Sequence, residues 1–398
     1  METTPISGLD ELDRHLDDLI QDPSLGITPK LFDDVELQLT ESNIPPLIHR
    51  FLPRLTVLLK QYTQDPAVIV SLTIKLLGPV SFVAILQLAS PDGLIQALDS
   101  PAPAANLLAM AILHKAAASP QEVTLLSSVP SLFAAFTTRW LAAPQVEVGQ
   151  RGGKILGDLL DIDCELPPPA PTTRPVDVTH AELVLRKAPG QGMLWNLLFR
   201  DTAMYTLLLD LISGRHPATA HSPHQLSLAQ GRVLRILPRL ASIDFRAVAH
   251  SDITPPAPVH LTNGTTTNGD DGDNDDNQHH QPPPSPNPPQ RGEGLLQYAA
   301  LRMVRRSDVL MHLSLVDFFE ALVSLMRVTE PSALKLETLR AVVGEAAAGD
   351  RVLREALLSL PDRTVEEEAE DLRRWVGEVV PVPGPGEEGE RGVRLALR

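Results

Sequence analysis

Residues Glu147–Leu160 read EVGQRGGKILGDLL. The glycines and the Gly153–Lys154 pair resemble the end of a loop that cradles phosphate, which would make the chain a nucleotide-binding enzyme. The neighbouring residues argue against it. Such a loop needs a glycine five positions before Gly153 and a hydroxyl after the lysine, where it holds magnesium. Position 148 is Val148, and Lys154 is followed by Ile155. A strand should lead into the loop, and the preceding RWLAAPQV does not read as one. At the helical period, Val148, Ile155, Leu156, Leu159 and Leu160 form one apolar stripe. Gly152 and Gly153 then occupy the small-residue places where a partner helix comes close. The stretch is predicted to be the second helix of a helix pair.

Working outward, the same pattern recurs. Lys75-Leu-Leu-Gly78 matches Lys154-Ile-Leu-Gly157 at an offset of 79 residues, and Lys115 lies midway between them. Arg235-Ile-Leu237 matches Lys154-Ile-Leu156 at an offset of 81, as Ile243-Asp244 matches Ile162-Asp163. A step of about 40 residues is that of paired-helix HEAT or armadillo repeats. Helix starts are marked by Thr28-Pro29, Asp65-Pro66, Ser90-Pro91 and Ser119-Pro120, each with a side-chain oxygen at the N-cap and proline in the first turn. Ser119 with Glu122 spells a capping box. Near the N-terminus, Leu9, Leu12, Leu16 and Leu19 make an apolar stripe, with Asp10, Asp13, Asp17 and Asp18 off it.

The expected fold is therefore all-α: a HEAT/armadillo-like helical-repeat solenoid with an inserted disordered loop. Residues 1–250 are assigned to the solenoid and 295–380 to helices that continue it. Residues 251–294 are polar, acidic and Pro-rich, too poor in apolar side chains to offset the entropy of ordering. Residues 381–398 read as a flexible tail, and CELPPPAPTTRPVDV as a Pro-rich connector.

Composition agrees with helices. Of 398 residues 43% are apolar but only 4% aromatic, so the core is built from Leu, Ala, Val and Ile. Proline, at 37 residues, is far above its usual share and fits many short helices. The formal charge of −16 argues against direct nucleic-acid binding, which needs clustered Lys and Arg. The one cysteine, Cys164, rules out an internal disulfide and suits a reducing compartment. METTPISGLDELDRHLDDLI has neither the basic start nor the apolar run of a signal peptide. No uninterrupted apolar run reaches the ~18 residues of a membrane span. The sequon at Asn263-Gly264-Thr265 is expected to be silent.

Chemistry-bearing motifs are weak. DDGDNDDN lacks the glycine, glutamate and flanking helices of a calcium loop and reads as a solvated tract. His216, His221 and His224 in HPATAHSPH have no zinc spacing and no carboxylate or thiol beside them. Neither a G-x-S-x-G nor an H-E-x-x-H motif occurs. No catalytic, metal or cofactor residue is assigned, and an enzyme is not expected.

The informative feature is a basic ladder. Lys75, Lys115, Lys154 and Arg235 hold equivalent places in successive second helices, and Arg232 and Arg239 widen the row at helical spacing. Asp158 is a polar neighbour. Such a row would meet acidic side chains or a terminal carboxylate; the plainer alternative is solubility alone. Residues up to Glu41 carry 11 acids against Arg14 and Lys30, read as a polar end cap of the array or, alternatively, a dock for a basic partner.

Three segments carry a family resemblance: PKLFDDVELQLTESNIPPLIHRFLPRLTVLLKQYTQDP from Pro29, GKILGDLLDIDCELPPP from Gly153 and GMLWNLLFRDTAMYTLLLDL from Gly192. They resemble the fungal DNA mismatch repair protein HSM group, akin to the 26S proteasome non-ATPase regulatory subunit 5 of animals. The likeness covers about the first 250 residues. It implies a helical-repeat chaperone for assembly of the proteasome regulatory-particle base, which holds the C-terminal domain of an AAA ATPase subunit and then leaves. It also implies a cytoplasmic location, with the nucleus open as a second, and a monomer in the free state. No direct nucleic-acid or membrane partner is expected. The alternative is a general helical-repeat scaffold in nuclear transport or a DNA-repair complex.

Overall fold

The structure, a computed structural model, describes residues 6–62, 64–165, 189–253 and 292–380. These are helical, and no strand occurs among them. The fold is all-α, as expected. The acidic tract, most of the Pro-rich connector and the C-terminal tail lie outside the described residues.

The first four helices, α1 (Leu9–Gln21), α2 (Pro29–Glu36), α3 (Pro45–Gln61) and α4 (Ala67–Leu76), enclose their own apolar cluster. Leu12, Leu16 and Leu19 of α1 are fully buried there with Phe32, Phe51 and Leu55. The acidic side chains of α1 do not all face solvent. Arg50 of α3 donates to Asp10 at 2.7 Å and to Asp13, and Arg54 reaches Asp13 and Asp17, the latter at 3.2 Å. Part of the acidic surface is thus spent within the fold, which weakens its reading as a dock for a basic partner.

A second cluster runs through the rest of the chain. It takes in α5 (Phe82–Leu86), α6 (Pro91–Asp99), α7 (Pro103–His114), α8 (Pro120–Ser127), α9 (Pro130–Ala142) and α10 (Val146–Ile162). After residues 166–188 come α11 (Met193–Phe199), α12 (Thr202–Ser213), α13 (Pro217–Ala220), α14 (Pro223–Ile243) and α15 (Phe245–Ala249). After 254–291 come α16 (Leu295–Leu301), α17 (Val309–Val328), α18 (Ala333–Ala347), α19 (Arg351–Ser359) and α20 (Glu366–Val379). One row of helices packs in order: α4 on α7, α7 on α10, α10 on α14 and α14 on α17. Beside it, α6 packs on α9, and α9 on α10, α12 and α14.

Local chemistry starts these helices as the sequence suggests, with small shifts. Ser90 and Ser119 accept from the N–H groups of Gly93 and Glu122. Glu122 does not close the capping box; its carboxylate faces the Val83 N–H at 3.5 Å. Thr28 makes no side-chain cap, and α4 begins one residue late, with the Asp65 carboxylate accepting from Ala67 N–H. Pro53 and Pro238 sit inside α3 and α14, so proline does not only mark helix ends here.

Helix α17 is long and apolar enough to cross a membrane by length and composition. Part of its apolar content is used in packing: Leu315, Phe318, Phe319, Leu322, Val323 and Met326 are buried, and Asp317 and Glu320 interrupt the run.

The residues flanking two of the breaks in the described chain meet at a narrow neck. Gly190 and Gly192 donate to the carbonyls of Cys164 and Asp163, and Gly292 donates to that of Ser251.

Candidate functional site: a cationic groove

The opening stretch forms one continuous helix, α10, with no loop in which to seat a phosphate. Val148, Ile155, Leu156, Leu159 and Leu160 are buried, as their period requires. A Cβ on Gly152 would lie 2.6–2.9 Å from the Trp140 side chain of α9, so this glycine does mark a close helix approach. Gly153 does not: a Cβ there would meet only Trp140 Nε1, at an ordinary 3.5 Å.

The other two glycines of α10 have a role that the sequence reading missed. A Cβ on Gly149 would fall 2.1 Å from Arg232 Nε, and one on Gly157 would fall 2.3 Å from Arg239 Nη1. Glycines eight residues apart on α10 thus receive arginines seven apart on α14. The available signal was this matched spacing of the smallest and the longest side chains on adjacent helices.

Each member of the predicted ladder can now be placed. Lys75, Lys154 and Arg235 lie on α4, α10 and α14, and Lys115 lies in the 3-10 turn Lys115–Ala118 that follows α7. Lys75 is exposed and does not line the groove described below. Lys115 donates to the Gly78 carbonyl at 2.8 Å, and burial lowers its pKa against the opposing pull of Glu122. It closes the end of α4 and is not an open cation.

Arg232 is likewise turned inward. Its Nη1 donates to the carbonyls of Trp140 and Leu141, both at 2.9 Å, and its Nη2 to Gln145 at 3.1 Å. It supplies a donor to the Trp140 and Leu141 carbonyls in the last turn of α9, where the helix itself provides none. Burial, and then the Arg235 charge, bring its pKa down to about 10, so it stays protonated near neutrality. Arg235 is exposed and makes no hydrogen bond or ion pair with the described residues.

Asp158 is a hub. One oxygen accepts from Lys154 Nζ at 2.8 Å and lies 2.8 Å from His114 Nε2; the other accepts from Arg239 Nη2 at 2.9 Å. Three successive helical elements, α7, α10 and α14, thereby meet at one carboxylate. Burial pushes its pKa up, but the bonds from Lys154, Arg239 and His114 outweigh this and hold it at about 2.

Lys154, Arg232, Arg235 and Arg239 all line a groove of about 690 Å³ between α10, α14 and α17. Its other walls come from Trp140, Val146, Gly149, Leu228, Gly231 and Ile236, with Leu310, Met311 and Ser314 from α17. No Asp or Glu lines it. The α17 wall was not foreseen. Val146 and Leu310 are 61% and 76% exposed.

Elsewhere, the ring of His216 caps α13 by accepting from Ala218 N–H at 3.2 Å, and His224 lines the groove. A second cavity of about 420 Å³ lies near the two necks, lined by Cys164, Arg200, Asp244 and His250 among others. Neither a protein-family model, nor a curated protein, nor a solved structure matches the chain.

Proposed function

We propose that the chain is a non-enzymatic chaperone for assembly of the 26S proteasome regulatory-particle base, and that its groove is part of the surface that binds the C-terminal domain of an AAA ATPase subunit. The observation that carries the reading is the groove: apolar side chains, the cations Lys154, Arg235 and Arg239 beside the inward-turned Arg232, and no lining acid, in a chain of formal charge −16. Matched charge of this kind selects a partner and speeds encounter more than it adds raw affinity. The groove's chemistry points to an acidic polypeptide; the leucine-rich resemblance supplies the ATPase.

The same proposal takes the helices as a HEAT/armadillo-like solenoid. Its support is the row α4, α7, α10, α14 and α17, each packed on the next. Equivalent caps support it further. Asp163 follows α10 and accepts from the Leu194 and Trp195 N–H groups of α11; Asp244 follows α14 and accepts from Ala247 N–H of α15. The two aspartates matched in the sequence repeat do the same work at the same place.

The test is capture from a cell extract with tagged protein. One or two proteasomal ATPases recovered without the core particle are expected. An eluate that lacks those ATPases would overturn the chaperone reading.

A further inference from the structure

We infer that the groove between α10, α14 and α17 is built for a single acidic amphipathic helix, with its apolar side chains on Val146, Leu310 and Met311 and its carboxylates on Lys154, Arg235 and Arg239. This rests on the reading of the groove as the contact surface, and not on the partner's being an ATPase.

Three observations select that occupant. First, the lining combines apolar side chains, Val146, Leu228, Ile236, Leu310 and Met311, with the cations of α10 and α14 and holds no acid. An amphipathic helix recognised in a groove offers both kinds of contact, with apolar anchors at i, i+3 or i+4, and i+7. Second, two large apolar side chains that line the groove from different helices, Val146 of α10 and Leu310 of α17, are 61% and 76% exposed. A cluster of exposed large apolar groups beside a concavity marks a contact surface more than scattered ones do. Third, the cations differ in availability. Arg232 is held by three carbonyls, and Arg239 and Lys154 share Asp158. Arg235, one turn from Arg239 on the same helix, has no carboxylate among the described residues. A helix carrying carboxylates about one turn apart supplies that missing partner and adds to the other two.

A bare phosphate or a nucleic acid would satisfy the cations but would leave the apolar walls wet. A purely apolar helix would bury Arg235 without a counter-charge. The volume of about 690 Å³ suits a few side chains from one face of a helix and not a whole folded domain.

The probe is a fluorescein-labelled synthetic peptide of about 18 residues, roughly five helical turns, with leucines at i, i+4, i+7 and i+11 and glutamates on the flanks. Binding to the full chain is read by fluorescence anisotropy. Two control peptides are used: one with the same composition in scrambled order, and one with lysine in place of glutamate. Both controls should bind at least ~10-fold more weakly. Arg235→Glu should weaken the acidic peptide ~10-fold or more and Leu310→Ser several-fold, whereas Lys75→Glu, outside the groove's lining, should change nothing. Circular dichroism confirms that each variant is folded. Equal binding of the scrambled peptide overturns the inference. So does an unchanged affinity in Leu310→Ser, which would mean an anion site only, or an equal loss in Lys75→Glu. The same variants are assayed with an isolated ATPase C-terminal domain. Groove-dependent peptide binding without ATPase binding keeps the helix site and removes the chaperone reading. ATPase binding that ignores the groove variants does the reverse.

Discussion

Gly149 of α10 and Arg232 of α14 occupy one space: where a Cβ would stand on the glycine, 2.1 Å from Nε, the guanidinium lies, held there by three backbone carbonyls around the end of α9. One fitting therefore joins three helices, and it explains why a glycine occupies the first turn of a helix.

Gly149→Ala is expected to destabilise the chain. Alanine gains up to about 1 kcal/mol in helix propensity, but it must displace an anchored guanidinium, an overpacking cost of about 1–3 kcal/mol plus unpaired carbonyls. Gly231→Ala on α14 is the contrast, because nothing lies within 4 Å of its Cβ. It should stabilise by about 0.5–1 kcal/mol. Urea unfolding of both variants checks the pair; equal shifts in one direction would contradict the fit at Gly149.

Asp158→Asn removes the charge that joins His114, Lys154 and Arg239. The folded carboxyl, at about 2, lies below its ordinary 3.8, so its ionised form stabilises the fold. That contribution is complete above about pH 4 and is lost as pH falls from there through about 2. Partial solvent access limits it to the order of 1 kcal/mol. Unfolding curves of wild type and variant should differ at pH 7 and converge near pH 2. A gap that persists at low pH would mean that the loss is not electrostatic.

Lys335 is 3% exposed, and its ammonium donates to the carbonyls of Met326, Thr329 and Glu330 and to Thr329 Oγ1. It closes the end of α17. Lys335→Met keeps the length of the side chain but leaves those oxygens without their donor, at a cost of about 2–3 kcal/mol. Chemical denaturation measures it, and unchanged stability would show that the carbonyls find other donors.

Much of this was legible in the sequence because it is local. The stripes in α1 and α10, the serine caps of α6 and α8, and the place of Gly152 follow from helical period and from residues three or four apart. What escaped depends on approach between distant segments. Asp158 and Arg239 are 81 residues apart, and Arg232 caps a helix that ends some 90 residues before it. A basic residue at a repeat position could be read as exposed, but not as already committed, which is how Lys115 and Arg232 came to be counted in the ladder. The α17 wall falls in a segment with no ladder residue, so nothing in the repeat pointed to it.

The most direct measurement is calorimetric titration of a proteasomal ATPase C-terminal domain into the Lys154→Glu, Arg235→Glu double variant. Arg239 and His114 still face Asp158 there, so the helices should stay packed and the unfolding midpoint close to that of the wild type. If the groove is the contact surface, affinity falls ~10-fold or more. A folded double variant that binds the domain as tightly as the wild type would contradict it.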